Sequence, residues 1–411
     1  MRIGQVSRKY DISVDNLYYY INYGLLVPKR PNSQYDFDEQ TLKDLEIILE
    51  LKSLKFSLKE IHEILSLYRI SGITAPQDVA DLKRIYNGKL TEIQGERHQL
   101  DKMTRRLESK IRSLNERFPA EVASKGVPLS MLELLCCPNC GGSFALENVS
   151  MSSQYLFEGN LKCSCGYCAQ IEKGVLITPN KNKDEYDTPD IDRKLYRDLP
   201  PSLISLFQKS YNWMLDRLAN MPLAGKVVME TYINAWFFMH NHLAYLDPKA
   251  KYIVVDKYPE MLYMYKELME NQGYDLDILF IADSGTRLPL KHGCVDLNID
   301  YFALNEHNFY HDSFLYDKLV PYFNDDTQLL GTYFYFYKGK KSMQTLLTEY
   351  PTCSQNNFSL PFFMSHMKDY IVEDEDCGYT TSSGSNIGFS FHAEGERMYL
   401  HSYLARGYHR E

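Results

Sequence analysis

The sequence predicts a multidomain protein: an α-helical winged helix-turn-helix head, a long coiled-coil helix, a small cysteine ribbon and a C-terminal α/β doubly wound domain. Three observations carry this reading. Two short amphipathic helical patterns joined at a tight corner open the chain. Six of the nine cysteines crowd into residues 136–168, in two short turns. Strand patterns that end in acidic residues recur between residues 226 and 301 at βαβ spacing. A chain of 411 residues has material for two or three cores, with expected boundaries at 1–75, 76–120, 130–180 and 190–411.

The head comes first. An Ile3–Tyr10 pattern passes through Asp11 and Ile12 into a second helix opened by Ser13, whose side-chain oxygen can accept an otherwise unpaired amide of the first turn. Val14, Leu17 and Ile21 recur at helical spacing, so one face packs while Asn16, Tyr18, Tyr19 and Asn22 point outward, and Gly24 ends the helix. A second helix of this kind can enter the major groove. The candidate DNA contacts are Ser13, Asn16, Tyr18 and Tyr19 on the helix, with Lys29, Arg30 and Tyr35 on the segment that follows. The run LYYYINYGLLVPKR, followed by QYDF and LKFSLKEIHEIL, resembles the mercury-resistance regulator (MerR) family over about the first 117 residues. That resemblance implies a winged head and a long helix that pairs two subunits antiparallel. It also implies binding to a two-fold symmetric promoter site in double-stranded DNA and an indirect effect on RNA polymerase through altered twist or bend of the spacer. Tyr18 and Asp36 depart from the pattern, because each replaces an arginine expected on the phosphate-facing surface. The competing expectation is a small helical domain whose tyrosine cluster binds protein.

Charge agrees with a modular chain. Residues 1–117 carry 20 Lys+Arg against 17 Asp+Glu, while the remainder carries 25 against 37. A mildly basic head suits phosphate contacts; the acidic remainder repels them. No apolar stretch reaches membrane-spanning length and no signal-peptide core opens the chain, so a cytoplasmic protein without a membrane partner is expected.

In the long helical segment Tyr86, Ile93, Leu100, Leu107 and Leu114 repeat every seven residues, with Leu90 and Ile111 on a flanking seam. Gly88 and Gly95 weaken the helix, and Arg97 and Thr104 interrupt the second seam. A helix this long cannot bury such a stripe alone, so a homodimeric coiled coil is expected, the alternative being a hairpin against the chain's own core.

Next comes Cys136-Cys137-Pro-Asn-Cys140-Gly-Gly, then Cys163-Ser-Cys165-Gly-Tyr-Cys168. Two cysteine turns about twenty residues apart are how a ribbon builds one tetrahedral thiolate site for structural zinc. Cys137, Cys140, Cys163 and Cys165 are the expected ligands, with Cys168 as the alternative to Cys165 and Cys136 as a bystander. Four thiolates close the coordination sphere and leave no position for substrate. The continuation CAQIEKGVLITP resembles the short zinc module that precedes the catalytic domain in some ribosomal-RNA methyltransferases.

Beyond a polar linker (Asn180–Thr188) and an amphipathic helix around Leu203–Leu218, strand patterns end in Glu230, Asp256 and Asp283, and a fourth spans Val295–Tyr301. Ligands in doubly wound sheets bind beyond the carboxyl ends of the strands. With its ADSGTRLPL run, this region resembles the Rossmann-like S-adenosylmethionine-dependent methyltransferases. The resemblance places Asp256 at the ribose position and Asp283 on the adenine side. It fails at the first loop, where the family's glycines are replaced in Glu230-Thr-Tyr232-Ile-Asn234-Ala-Trp236. Large rings stand where a cofactor needs bare backbone. The expectation is therefore a non-catalytic domain that does not bind S-adenosylmethionine and senses an unknown small-molecule effector. The expected pocket is lined by Glu230, Tyr232, Asn234, Trp236, Asp256, Tyr258 and Asp283, with Tyr301 or Phe302 closing one side. Residues 301–337 hold thirteen Phe or Tyr, most of them expected in the core, and aromatic walls with a carboxylate such as Glu230, Asp256, Glu306 or Asp283 would suit a flat or cationic molecule. His307 and His311 near Glu306 are expected to be ordinary solvated or core histidines. Two rivals to the regulator stand: an active methyltransferase with a DNA-binding head, and a constitutive DNA-bound scaffold without a ligand.

Overall fold

The computed structural model describes residues 1–31, 34–115, 124–181, 188–273, 275–284, 287–338 and 340–407. They form two compact units, 1–116 and 117–411. Residues 116–120 of the expected coiled coil, 182–187 of the expected linker, Gly285 and Thr286 of the ADSGTRLPL run and residues 408–411 lie outside the described residues.

In the first unit α1 (Ile3–Tyr10) turns through Asp11, whose φ is +49°, into α2 (Val14–Asn22). Lys29 and Asp36 pair as a minimal hairpin that also bridges to Arg2, which is the wing. Two capped helices follow, α3 (Glu39–Ser53) behind Asp38 and α4 (Leu58–Ser66) behind a reciprocal Ser57–Glu60 capping box. Val6, Leu17, Leu25, Phe37, Leu45, Ile48, Ile61 and Ile64 are buried together as the core. Arg69 ties these parts down, with Nη2 2.6 Å from Asp44 and 2.6 Å from the Leu25 carbonyl just after α2.

The long helix α5 (Pro76–Asn115) runs 40 residues without a break, so Gly88 and Gly95 do not interrupt it. At 1.5 Å per residue it is about 60 Å long. Its first part packs on the head: Leu82 is buried, Tyr86 meets Phe56 edge-on, and Lys55 pairs with Glu96 at 2.6 Å. Tyr86, the first heptad position, thus has a partner in its own chain. Beyond it Leu100, Leu107, Ile111 and Leu114 are 56–62% exposed.

The second unit is one continuous sheet. Strands β6 (Val227–Thr231), β7 (Lys251–Asp256), β8 (Asp277–Ala282), β9 (Val295–Tyr301) and β10 (Phe323–Phe336) are parallel, in the order β8-β7-β6-β9-β10. Such strands are buried on both faces, which is why they read as unbroken apolar runs. Val228, Tyr252, Val254, Phe280 and Ile299 join the core on one side, and Met229, Ile253, Val255, Leu279 and Ile281 join the core on the other. Beside β10 lie antiparallel β12 (Met398–Arg406) and then the edge strand β11 (Ile371–Thr380). Gly331 in β10 is obligatory, because a Cβ there would stand 2.6 Å from the Asp300 carbonyl and 2.6 Å from the Tyr403 hydroxyl.

The cysteine ribbon, expected as a separate element over 130–180, extends this same sheet. β1 (Val127–Pro128), β2 (Ala145–Ser152), β3 (Tyr155–Lys162), β4 (Cys168–Glu172) and β5 (Val175–Ile177) form an antiparallel layer, and β5 lies parallel to β8. Helix α6 (Pro201–Leu218) packs its Leu203, Leu206, Phe207, Trp213 and Met214 face into the first core. The β6–β7 connection carries the short α7 (Phe238–Asn241) and a single 3-10 turn (Leu243–Tyr245), while β7 leads into the longer α8 (Pro259–Asn271). Residues 283–294 link β8 to β9 without a helix among the described residues. After β9 come two short helices, α9 (Ala303–His307) and α10 (Leu315–Leu319).

Candidate functional site

On the head, Ser13 accepts the Asn16 amide at 3.2 Å and so sets the start of α2. Asn16, Tyr18 and Tyr19 are exposed on the helix, and Lys29 and Arg30 on the wing. A contact chain joins these surfaces: Tyr18 meets Tyr35 edge-on at 5.9 Å, and the Arg30 guanidinium lies over Tyr35 at 5.0 Å. Lys29 Nζ is 3.4 Å from Asp38. Asp36, where a cation was expected, holds the N-terminal ammonium at 3.0 Å and so acts in the fold.

The four-cysteine cluster is equally local. The Sγ atoms of Cys137, Cys140, Cys163 and Cys165 all lie within 4.8 Å of one another. A tetrahedral zinc with bonds of about 2.3 Å requires sulfur separations of about 3.8 Å, so the four thiolates fit this ion. Each turn is held by its backbone: Gly141 N–H donates to the Cys137 carbonyl at 2.8 Å and Gly166 N–H to the Cys163 carbonyl at 2.9 Å. Both glycines have positive φ, +71° and +91°. Cys168 stands apart from the cluster at the start of β4, so the fourth sulfur is that of Cys165. Cys136 Sγ lies 3.1 Å from the Leu290 carbonyl.

At the carboxyl ends of the sheet, three acidic residues stand on adjacent strands, and each is engaged by its own chain. Glu230, buried at the end of β6, accepts the amides of Phe238 (2.7 Å) and Met239 (2.9 Å). Burial pushes its carboxyl up to about 8, with Asp300 adding to the rise. Asp256 accepts the Asn234 amide on one oxygen (2.9 Å) and the Tyr258 amide on the other (3.0 Å). Asp283 accepts the Thr178 hydroxyl at 2.6 Å and the Asn180 amide group at 3.1 Å.

The loop between these acids keeps the backbone shape of a glycine turn while carrying large side chains. Tyr232 has φ +58°, a left-handed conformation that costs roughly 1–2 kcal/mol for an L-residue. Its ring crosses to α9, where its hydroxyl is 2.7 Å from His307 Nδ1. Burial pulls His307 down to about 3, so the ring is neutral there, a core-satisfied histidine. Trp236 turns to the other face, against Phe207 (4.6 Å), Tyr301 and Phe302. Asn234 holds the segment that follows the linker, accepting the Asp190 amide at 2.9 Å.

The expected single pocket is therefore divided. Tyr232, Asp256 and Asp283 border a crevice of only ≈ 20 Å³. Asn234 and Trp236 border a separate pocket of ≈ 160 Å³ walled by Phe302, Glu306, Phe309, Tyr310, Tyr350 and Phe389. Glu230 and Tyr258 line neither and are buried beneath. A site that encloses a cofactor-sized ligand takes about 300 Å³ or more. The ribose-side crevice is much the smaller of the two spaces. Tyr350, Phe389 and Phe391 were missed from sequence: they come from distant segments without a motif, and only the aromatic density after residue 301 hinted at such a wall.

Residues 1–67 match the family model of MerR HTH regulatory proteins, and residues 42–110 match the model described as MerR, DNA binding. The N-terminal unit is a MerR-family DNA-binding module. Among solved structures, a SAM-dependent methyltransferase from Aquifex aeolicus is similar at 15% identity over 53% of this chain and 99% of its own, with a TM-score of 0.36. Geranyl diphosphate methyltransferase in complex with SAM is similar at 11% identity over 55% and 93%, with a TM-score of 0.38. A transcription regulator from Ralstonia metallidurans in complex with lead(II) is similar at 23% identity over 30% and 91%, with a TM-score of 0.23. No curated protein matches the chain. The protein combines a MerR-type head with a four-cysteine cluster and a C-terminal unit built on a parallel-centred α/β sheet. No helix among the described residues is long and apolar enough to cross a membrane.

Proposed function

We propose that this protein is a cytoplasmic, dimeric promoter-binding regulator whose methyltransferase-like unit reads a small molecule and transfers no methyl group. One observation carries the reading: the three strand-end acids accept hydrogen bonds from their own chain, and the two that border a crevice, Asp256 and Asp283, leave it only ≈ 20 Å³, while a ≈ 160 Å³ pocket stands open beside it. The exposed stripe of α5 supplies the dimer, since a second copy in a coiled coil would cover Leu100, Leu107, Ile111 and Leu114. Two copies of α2 then address two half-sites, with Tyr18, Tyr19, Lys29, Arg30 and Tyr35 on groove and phosphates. RNA polymerase is affected indirectly, through the shape of the promoter. The effector acts by binding two states of the dimer with unequal affinity. Zinc at the four cysteines is structural.

Calorimetric titration of the full-length protein with S-adenosylmethionine, paired with promoter-binding isotherms, tests this. The expected result is no cofactor binding, with promoter affinity that falls in the Lys29→Ala, Arg30→Ala double variant and loses part of its salt dependence. Micromolar binding of S-adenosylmethionine, abolished by Asp256→Ala, would move the protein to the methyltransferases. Promoter affinity unresponsive to every compound that enters the larger pocket would make it a scaffold.

A further inference from the structure

The larger pocket has an aromatic wall drawn from well-separated parts of the second unit. Trp236 comes from the loop after β6, Phe302 and Phe309 stand either side of α9, Phe334 belongs to β10, and Phe358 and Phe389 come from farther along the chain. These rings fix one another. Phe302 stacks on Phe334 at 4.5 Å, Trp236 meets Phe302 edge-on at 6.2 Å, and Phe389 meets Phe334 edge-on at 5.4 Å. Two of them stand on strained backbone: Phe302 and Phe358 have φ of +69° and +58°, a left-handed conformation that residues of this size rarely take. Such strain persists only where the surrounding fold over-determines it, and it gathers at ligand sites.

The polar groups on the border are already engaged by the chain. Asn305 donates to the Phe334 carbonyl and the Asn357 side chain (both 3.1 Å) and accepts the Phe334 amide at 2.8 Å. Asn386 donates to the carbonyls of Leu195 (3.0 Å) and Arg197 (2.6 Å) and accepts the Gly388 amide at 3.0 Å. Asn234 is held by Asp190, as above. Glu306, Tyr310 and Tyr350 each have interactions of their own, and the Tyr310 ring carries the Lys257 ammonium at 3.8 Å. A charged or strongly polar guest would give up its water for groups that are already paired, which is unfavourable. An apolar guest gives up nothing of that kind, and it takes both its own surface and that of the rings out of water. Size agrees: an apolar cavity of about 150 Å³ takes up one benzene, and this pocket measures ≈ 160 Å³.

We propose that the effector is an uncharged, apolar molecule of about one ring, held by ring contacts among Trp236, Phe302 and Phe389 without a hydrogen bond or an ion pair. This rests on reading the larger pocket as the sensor site.

The full-length protein is titrated calorimetrically with toluene and ethylbenzene, with benzylammonium and benzoate as charged comparators of similar size. Both hydrocarbons should saturate and bind about tenfold or more tightly than either ion. That comparison is made on the unaltered protein and depends on no variant. Toluene should also raise the unfolding midpoint, since it binds only the folded state. Ala235→Leu, which adds bulk on the same wall, should weaken toluene binding about tenfold or more while unfolding stays cooperative. Equal or tighter binding of either ion, no saturable binding of the hydrocarbons, or toluene binding undiminished in Ala235→Leu would overturn the proposal. Promoter-binding isotherms in the same solutions separate the two readings. Hydrocarbons that bind without changing promoter affinity would leave the ligand class standing and remove the sensor role. A charged compound that displaces toluene and shifts promoter affinity would do the reverse.

Discussion

At the residue scale, Asp256 decides between a structural and a ligand-binding role. Its two oxygens accept the buried amides of Asn234 and Tyr258. Removing the acceptor strands both donors, at about 1–3 kcal/mol each. Asp256→Ala should therefore lower the unfolding free energy of the C-terminal unit by roughly 2–5 kcal/mol, measured in urea by tryptophan fluorescence. A ribose-binding carboxylate awaiting its ligand would give little or no change. Sequence reasoning reached Asp256 and the ring-bearing loop because strand-end acids and missing glycines are visible one residue at a time. It did not reach the left-handed backbone of Tyr232, since an L-residue at φ +58° breaks a local preference that only the surrounding structure can enforce.

At the scale of elements, legibility followed the range of the interactions. Caps, heptads and cysteine turns involve residues a few positions apart, and Ser13, Leu100–Leu114 and Cys137–Cys140 were readable for that reason. The pairing of β5 with β8 joins Ile177 to Ala282, a match that depends on the whole fold and leaves no local mark. The consequence is testable at the ribbon. Because β5 continues the large sheet, loss of the metal should loosen β1–β4 while the central strands persist. Chelation, or Cys140→Ser, should raise amide exchange across residues 127–172 and leave Val228–Thr231 and Ile253–Asp256 protected. Cys168→Ser should leave about one zinc per chain and normal exchange. Loss of zinc in the Cys168 variant would return that residue to the ligand set, and an intact ribbon after chelation would deny the metal its structural role.

At the scale of the whole molecule, the two tryptophans, Trp213 and Trp236, both belong to the C-terminal unit, so their fluorescence follows that unit alone. This makes the buried acid under the cleft measurable. Glu230 ionises near 4.5 when unfolded, and burial raises it to about 8 in the fold. Between those values the folded state holds a proton that the unfolded state has released, so stability is complete below 4.5 and is lost as pH rises toward 8. Other buried groups act at lower pH: Asp300, raised to about 6, adds to the same trend, and His307, lowered to about 3, opposes it below 6.5 together with His240, His242 and His401, each lowered by burial. From pH 6.5 to 8 these are past their range, and the buried thiols Cys294 and Cys353, raised to about 11, have not entered theirs. Cys163, lowered to about 6 within the cysteine cluster, opposes Glu230 in that window, so the share of Glu230 is the difference between the unaltered protein and Glu230→Gln, in which the thiol contribution cancels. Glu230→Gln should be less stable at pH 6.5, because an amide group cannot accept both the Phe238 and the Met239 N–H. Urea unfolding followed by tryptophan fluorescence should show that difference shrinking from pH 6.5 to 8 with a slope of up to about 1.4 kcal/mol per pH unit, the limit for one proton. A difference that does not change with pH would show Glu230 ionised throughout the window.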